Sequence, residues 1–266
     1  MSTTAITLPT ARPNVIGIFL REVRFELVRA MRTRAFSLSV LGFPIMFYCL
    51  FGLMLNRNAT FQGGESVAKY FLGGYAVFGM VGAALFGIGV GVAADLSAGW
   101  LELKRASPMP PLAYLVSKCC TAMVFGMIIV TILSVLGIAL GHVHLTTVEY
   151  LKMLGLTVAA AFPFASMGLA LALIVPFNSA PGIANLLYLP MSFLGGVIIP
   201  LSVMPSFLQK IAPVLPTYHL AQLMLGIFGY SDRGHSALSH WYGLAGFTCL
   251  MLGVAWYAFR RREQNS

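Results

Sequence analysis

The composition of this 266-residue chain is that of a membrane protein. Hydrophobic residues make up 58% of the chain and charged residues only 9%, whereas ordinary soluble domains carry about 25% charged residues. The net charge is +9. The basic residues do not cluster on aromatic-rich stretches, which argues against a nucleic-acid-binding protein. In a membrane protein, such a surplus of Lys and Arg chiefly reports orientation.

The N-terminal region predicts a helix that lies on a membrane surface. Residues 1–14 lack the apolar core of a cleavable signal peptide. Residues 15–34 (VIGIFLREVRFELVRAMRTR) then separate apolar and charged positions at helical spacing. The apolar face holds Ile16, Leu20, Val23, Leu27, Ala30 and Met31. The charged face holds Arg21, Glu22, Arg29 and Arg32. This pattern indicates an amphipathic interface helix, and a basic topogenic tail is the alternative; both place the segment in the cytoplasm.

Six apolar runs are long enough to cross a bilayer, whose core of about 30 Å needs roughly 20 helical residues. They cover about 36–55, 70–94, 117–140, 151–175, 183–200 and 239–259. In this topology most of the 17 Lys and Arg residues fall on the side of both termini, which the positive-inside rule makes cytoplasmic. We therefore predict an all-α protein of a bacterial inner membrane. Its parts are a cytoplasmic segment (1–35), a six-span transmembrane domain (36–259) and a basic tail (260–266).

The second run carries small residues on one helical face. Gly79, Ala83, Gly87 and Gly91 recur every four residues. Small residues at this spacing let helix backbones approach closely. The approach is either to another helix of the same chain or to a second copy.

The predicted spans lack the groups that gradient-driven transport requires. No Asp, Glu, Lys or Arg lies in 36–55, 70–94 or 119–148. Proton- or sodium-coupled carriers need ionisable groups near the midplane, and channels need charged or filter-like linings. The dipeptide Gly-Lys does not occur, so the standard phosphate-binding loop is missing. The energy for any transport must therefore come from another chain.

Candidates for chemistry are few. The four cysteines lie in or beside apolar runs at no metal-ligand or disulfide spacing, so we expect no cofactor on this chain. His142, His144 and Glu149 share the loop HVHLTTVEY, a weak metal-binding pattern. These three residues are the candidates for a membrane-embedded lipid-modifying enzyme.

The stretch SFLGGVIIPLSVMPSFLQKIAPVLP (192–216) is apolar but is interrupted by Pro200, Pro205, Pro213 and Pro216. The pieces 206–212 and 217–228 are too short to cross the membrane. Apolar helices of this length are typical of re-entrant or interfacial segments. We predict two such helices between spans five and six, with Thr217 as a capping residue of the second.

Two stretches resemble the permeases of ABC type-2 transporters. Residues 189–226 are similar to the C-terminal signature of that family. The matching positions are Pro190, Ser192, Gly196, Pro200, Pro205 and Pro216. Residues 95–118 resemble the family's loop between spans two and three. The matching positions there are Asp95, Gly99, Leu101, Glu102, Leu103 and Pro108. Leu96 stands where the family has Arg. The resemblance covers nearly the whole chain.

The resemblance implies a half-transporter. Two copies would pair in the membrane, each seated on a separately encoded ATP-binding subunit that holds ATP and Mg²⁺. The helix at 15–34 would be the connecting helix, and the loop 95–108 would contain the coupling helix. The coupling residues would be Asp95, Gly99, Glu102, Lys104, Arg105 and Pro108. Ordinary charges that face lipid headgroups are the alternative for this loop.

The resemblance also implies export along the axis of the paired copies, between spans two and five of each. Phe78, Asn185, Tyr188 and Ser192 would line this path. An uncharged, aromatic path suits an amphipathic or lipid-like compound such as a drug, antibiotic, lipid or glycolipid. A lipid-modifying enzyme or a non-transporting assembly factor is the alternative function.

Overall fold

The computed structural model describes residues 15–61, 64, 66–100, 109–230, 234 and 236–264. Regular structure in these residues is helical apart from an isolated bridge between Thr60 and Ser66. The α-helices are α1 (Val15–Arg32), α2 (Arg34–Phe47), α3 (Val67–Ala84), α4 (Gly91–Ser97), α5 (Pro111–Gly141), α6 (Thr147–Ile174), α7 (Ala180–Leu194), α8 (Ser206–Ile211), α9 (Pro216–Ile227) and α10 (Ala237–Gln264). A π-helical segment, Tyr48–Met54, extends α2, and another, Leu85–Val90, joins α3 to α4.

Five helical runs in the described residues are long and apolar enough to cross a membrane. They are Arg34–Met54, Val67–Ser97, Leu112–Gly141, Thr147–Ile174 and Ala237–Arg262. Each lies within a few residues of a predicted span. The prediction of an all-α membrane protein is confirmed at this level.

The predicted fifth span, 183–200, differs from the structure. The helix in this region, α7, has 15 residues, or about 22 Å, which is short of the roughly 30 Å hydrocarbon core. The backbone turns directly after Leu194, and Gly196 has a φ of +75°, a conformation that favours glycine. The helix therefore ends before Pro200, the residue expected to terminate it.

The helix α3 lies at the centre of the bundle. Every residue of α3 except Lys69 is buried, against α2, α5, α6 and α9. A Cβ atom at Gly79 would lie 2.7 Å from the Ile129 side chain of α5. This part of the small-residue face therefore serves packing within the chain.

The last helix, α10, has the opposite environment. It packs along α6, but most of its membrane-length window is exposed. Leu238, Tyr242, Leu250 and Trp256 are among its exposed large apolar side chains. Such a surface is typical of a helix that faces lipid.

The two described ends of the chain lie at the same end of the bundle. The helix α1 packs along α5, and its Arg29 contacts Asp95, close to the end of α4. On α10, Phe259 belongs to a small apolar cluster that also includes Leu96. Residues 195–216 lie at the other end, where Tyr70, near the start of α3, bonds to Gly196.

Candidate functional site

Five polar side chains form a network where α1, α4 and α5 meet. We call Glu26, Arg29, Asp95, Tyr114 and Lys118 the ionic cluster. Lys118 Nζ lies 2.5 Å from Glu26 Oε1 and 3.0 Å from Asp95 Oδ2. Arg29 donates to Asp95 Oδ1 at 2.6 Å, and the Tyr114 hydroxyl donates to Asp95 Oδ2 at 2.7 Å. The network thus connects α1 to α4 and α5, the helices that precede and follow residues 101–108 in the sequence.

The ionic cluster is buried and its charges balance. Asp95 is 1% exposed, Glu26 4% and Lys118 5%, and two carboxylates face two cations. Buried ions are tolerated only when they are paired and hydrogen-bonded. Arg29 is half-exposed at the rim, and its hydrogen bond to Asp95 raises the pKa of the guanidinium above the ordinary value.

Local helix geometry presents these groups to one another. Glu26 and Arg29 are three residues apart on α1, and Tyr114 and Lys118 are four apart on α5, so each pair shares a helix face. Asp95 lies in the last turn of α4, which is followed by Gly99 at a φ of +70°. These positions on α1, α4 and α5 place the two carboxylates and the two cations at the same level of the bundle.

A cavity of about 210 Å³ adjoins the ionic cluster. Its wall combines the charged groups with apolar and aromatic side chains of α1, α2, the run from α3 to α4, and α5. The lining includes Glu26, Arg29, Phe36, Phe86, Gly87 and Lys118. The π-helical segment Leu85–Val90 forms part of this wall.

The predicted coupling residues fall into two groups. Asp95 is a buried member of the ionic cluster, and Gly99 follows the end of α4 in a left-handed conformation. Glu102, Lys104, Arg105 and Pro108 lie outside the described residues.

The residues predicted for the substrate path occupy different environments. Phe78 and Tyr188 are buried and stack with ring centroids 4.4 Å apart, and the Tyr188 hydroxyl donates to the Phe78 carbonyl at 2.7 Å. Ser192 is fully buried, and its hydroxyl has no hydrogen-bond partner among the described residues. Asn185 is exposed on the outer face of α7. Tyr188 and Phe78 thus join α7 to α3.

Two of the three residues that suggested a lipid-modifying enzyme, His142 and Glu149, lie at helix ends. Glu149 and Thr146 form a reciprocal capping box at the start of α6, and Glu149 also pairs with Lys69 at 2.6 Å. His142 contacts Arg57, and His144 is exposed. The Glu149 carboxylate is therefore occupied by contacts that stabilise the fold.

The segment from 195 to 216, which we call the proline segment, is held by neutral groups. Tyr70 donates to the Gly196 carbonyl at 2.8 Å. Just outside the segment, Thr217 donates to the Met191 carbonyl at 2.5 Å and so links the residues on either side of it. The α9 N-terminus has no side-chain cap, so the prediction that Thr217 caps α9 is wrong. A Cβ atom at Gly74 would overlap the Val197 carbonyl oxygen. The close approach of the α3 backbone at Gly74 to the backbone at Val197 therefore helps to position the proline segment.

The prolines start short helices in this part of the chain. Pro200 and Pro205 directly precede the 3₁₀ turn Leu201–Val203 and α8, and Pro216 is the first residue of α9. The first helical position tolerates proline because its N–H has no partner in the helix. The predicted short helices at 206–212 and 217–228 correspond to α8 and α9.

Comparison with known proteins identifies the family. The sequence model of the ABC-2 type transporter family matches residues 19–228. The chain belongs to the ABC-2 type transporter family. The match runs from α1 to the end of α9, so it includes the ionic cluster and both stretches that showed the resemblance.

A curated relative agrees with this family membership. The protein named "Putative transport permease YvfS" of Bacillus subtilis strain 168 is 30% identical over 195 residues, which cover 73% of this chain and 78% of that relative. The ABC-2 family and this relative both indicate a transport permease.

Sequence reasoning missed most of the ionic cluster in this ABC-2 protein. Lys118 was used only for the charge bias, and Arg29 for the charge bias and the polar face of α1. Glu26 and Tyr114 were given no role. A signal was present, because Asp95 and Lys118 each stand where an apolar run meets the predicted cytoplasmic side. Opposite charges at one membrane level are candidates for pairing.

Proposed function

We propose that the chain is the membrane-spanning subunit of an ABC exporter, driven by a separate ATP-binding subunit. Membership of the ABC-2 family supports a transport permease. The observation that supports the proposal further is the ionic cluster, which ties α1 to α4 and α5, the helices that precede and follow residues 101–108 in the sequence. If a partner subunit pushes on residues 101–108, α1, α4 and α5 would move together, because the buried charges that join them resist separation.

The proposed topology has six crossings with both termini in the cytoplasm. The helix α7 runs antiparallel to α3, since Tyr188 reaches Gly82 and Val197 reaches Gly74. With residues 195–200, α7 completes a crossing that its own length does not provide. The short helices α8 and α9 then form the proposed re-entrant pair, before α10 returns to the side of the ionic cluster.

The proposed path lies between two copies of the chain and is lined by the exposed face of α7 of each copy, because α3 is buried within its own chain. The outer face of α7 carries Asn185 among exposed apolar side chains such as Leu186 and Leu189. A second copy facing this surface would enclose a path with little charge. Such a path fits an amphipathic or lipid-like substrate better than an ion.

The test is ATP hydrolysis by the complete complex. We would co-express the chain with an ABC ATP-binding subunit, reconstitute the complex in vesicles, and measure ATP hydrolysis with and without candidate amphipathic substrates. The double variant Glu102→Ala with Arg105→Ala is expected to weaken assembly and lower hydrolysis, because it removes two charges proposed to contact the ATPase. Lys210→Ala, a charge change in α8 at the other end, is the control.

Two outcomes contradict the proposal. Equal assembly and hydrolysis after the double change would show that residues 101–108 do not couple the subunits. Transport by the purified chain alone, powered by a proton or sodium gradient, would remove the need for an ATPase altogether.

A further inference from the structure

One carboxylate oxygen of the ionic cluster lacks a hydrogen-bond partner. Glu26 Oε1 accepts from Lys118, but Oε2 has no hydrogen-bond partner among the described residues. The nearest ion-pair contact of Oε2 is Arg29, at 3.8 Å, which is too long for a hydrogen bond. Glu26 is only 4% exposed, so a charged acceptor is buried without a donor. Leaving such an atom unsatisfied is unfavourable.

The cavity beside Glu26 has room for the missing donor. Glu26 lines this cavity of about 210 Å³, whereas one water molecule needs only about 15 Å³ of such space. Most of the remaining wall is apolar and includes the aromatic rings of Phe36 and Phe86. A ligand that fits this wall has a donor group at one point and hydrocarbon elsewhere.

The charged side chains around the cavity restrict the class of ligand that can bind there. A lone ammonium group would meet Arg29 and Lys118 as well as Glu26. A ligand with an anionic group next to the ammonium would also satisfy Arg29, which presents five N–H donors. Asp95 accepts one hydrogen bond from Arg29, and the Arg29 side chain is 38% exposed at the rim. Arg favours phosphate oxygens, so the donor group and a phosphate would bind side by side.

We propose that this cavity binds the headgroup of a zwitterionic phospholipid with a primary ammonium, of the phosphatidylethanolamine type. The ammonium donates to Glu26 Oε2, the phosphate faces Arg29, and the start of the acyl region packs on Phe36 and Phe86. Such a lipid is available at this site because α1 exposes Ile16 and Leu20 as an interface helix does. The site needs neither ATP nor the partner subunit.

The test measures lipid binding to the full chain alone. Purified protein would be titrated in mixed micelles with dioleoyl phosphatidylethanolamine or dioleoyl phosphatidylcholine, and bound lipid counted by native mass spectrometry. The choline headgroup has no N–H donor, so its apparent Kd is expected to be about tenfold weaker or more, the effect of losing a hydrogen bond to a charged group. Glu26→Gln is expected to remove this difference. Glu149→Gln, which loses a carboxylate at the other end, is the matched control.

A second pair of variants leaves the ionic cluster intact. A Cβ atom at Gly87 would meet only Phe36, at an ordinary contact distance of 3.4 Å. Gly87→Leu would therefore fill the cavity and abolish the preference for phosphatidylethanolamine, while Gly87→Ala retains it. This pair decides the outcome if Glu26→Gln does not fold. Equal binding of the two lipids would overturn the proposal. So would a preference for phosphatidylethanolamine that Glu26→Gln or Gly87→Leu leaves unchanged.

Discussion

The two ends of the bundle are held together by different kinds of contact. At one end, the ionic cluster joins side chains that are 66 and 92 positions apart in the sequence through full charges. At the other end, the Tyr70 hydroxyl donates to a main-chain carbonyl of the proline segment, the Thr217 hydroxyl links the two sides of that segment, and glycines allow close approach. The ends are separated by the run from Tyr70 to Asp95, about 37 Å of helix.

The two ends should therefore respond differently to the loss of a contact. Loss of one member of a buried ion network leaves its partner charged and uncompensated, so the contacts fail together. Neutral hydrogen bonds contribute about 1 kcal/mol each and fail one at a time. The end with the ionic cluster is therefore suited to transmit force as a unit, whereas the proline segment is suited to local adjustment.

The largest expected effect is at the ionic cluster. Lys118→Met removes the cation shared by Glu26 and Asp95, and we expect it to lower the free energy of unfolding by about 3–5 kcal/mol. Lys118→Arg, which keeps the charge, is the control and should cost clearly less. Thermal unfolding of the purified protein in detergent measures both. A loss of under about 1 kcal/mol with Lys118→Met, no more than one neutral hydrogen bond contributes, would show that the ionic cluster does not hold its end more cooperatively than the other end is held.

The next effect is steric and lies near the proline segment. Gly74→Ala places a Cβ atom against the Val197 carbonyl, and we expect a loss of about 1–3 kcal/mol from overpacking. Gly42→Ala in α2 is the matched control, because a Cβ atom there meets nothing within 4 Å; its helix should be unchanged or up to about 1 kcal/mol more stable. Thermal unfolding in detergent compares the stability of Gly74→Ala with that of Gly42→Ala. If the two variants have equal stability, close approach does not hold the proline segment.

The smallest effect is the loss of one neutral hydrogen bond. Thr217→Val removes the donor to the Met191 carbonyl, and we expect a loss of about 1 kcal/mol. Thr248→Val in α10, whose hydroxyl donates within its own helix to the Leu244 carbonyl, is the control for the change of residue type. A loss from Thr217→Val as large as that from Lys118→Met would mean that the proline segment fails as cooperatively as the ionic cluster.

The helices themselves were predictable to a large extent. Apolar runs marked five helices of spanning length, and the amphipathic pattern marked α1, because length and periodicity are local properties. The end of α7 was misplaced because Pro200 looked like the natural stop. The actual stop is the pair Gly195 and Gly196: Gly196 is left-handed, and the N–H groups of Gly196 and Val197 donate to the Phe193 and Ser192 carbonyls, a local C-cap that the search for prolines overlooked.

Composition and local pattern were enough to predict a helical membrane protein with an amphipathic first helix and short helices between prolines near its last span. The pairing of Glu26 with Lys118, the contact of Arg29 with Asp95, and the stacking of Tyr188 on Phe78 follow from the way in which the helices pack. Hydropathy and periodicity report which residues share a face of one helix. They carry no information on how that helix is rotated against its neighbours, and it is this rotation that brings distant charges together in a single buried network.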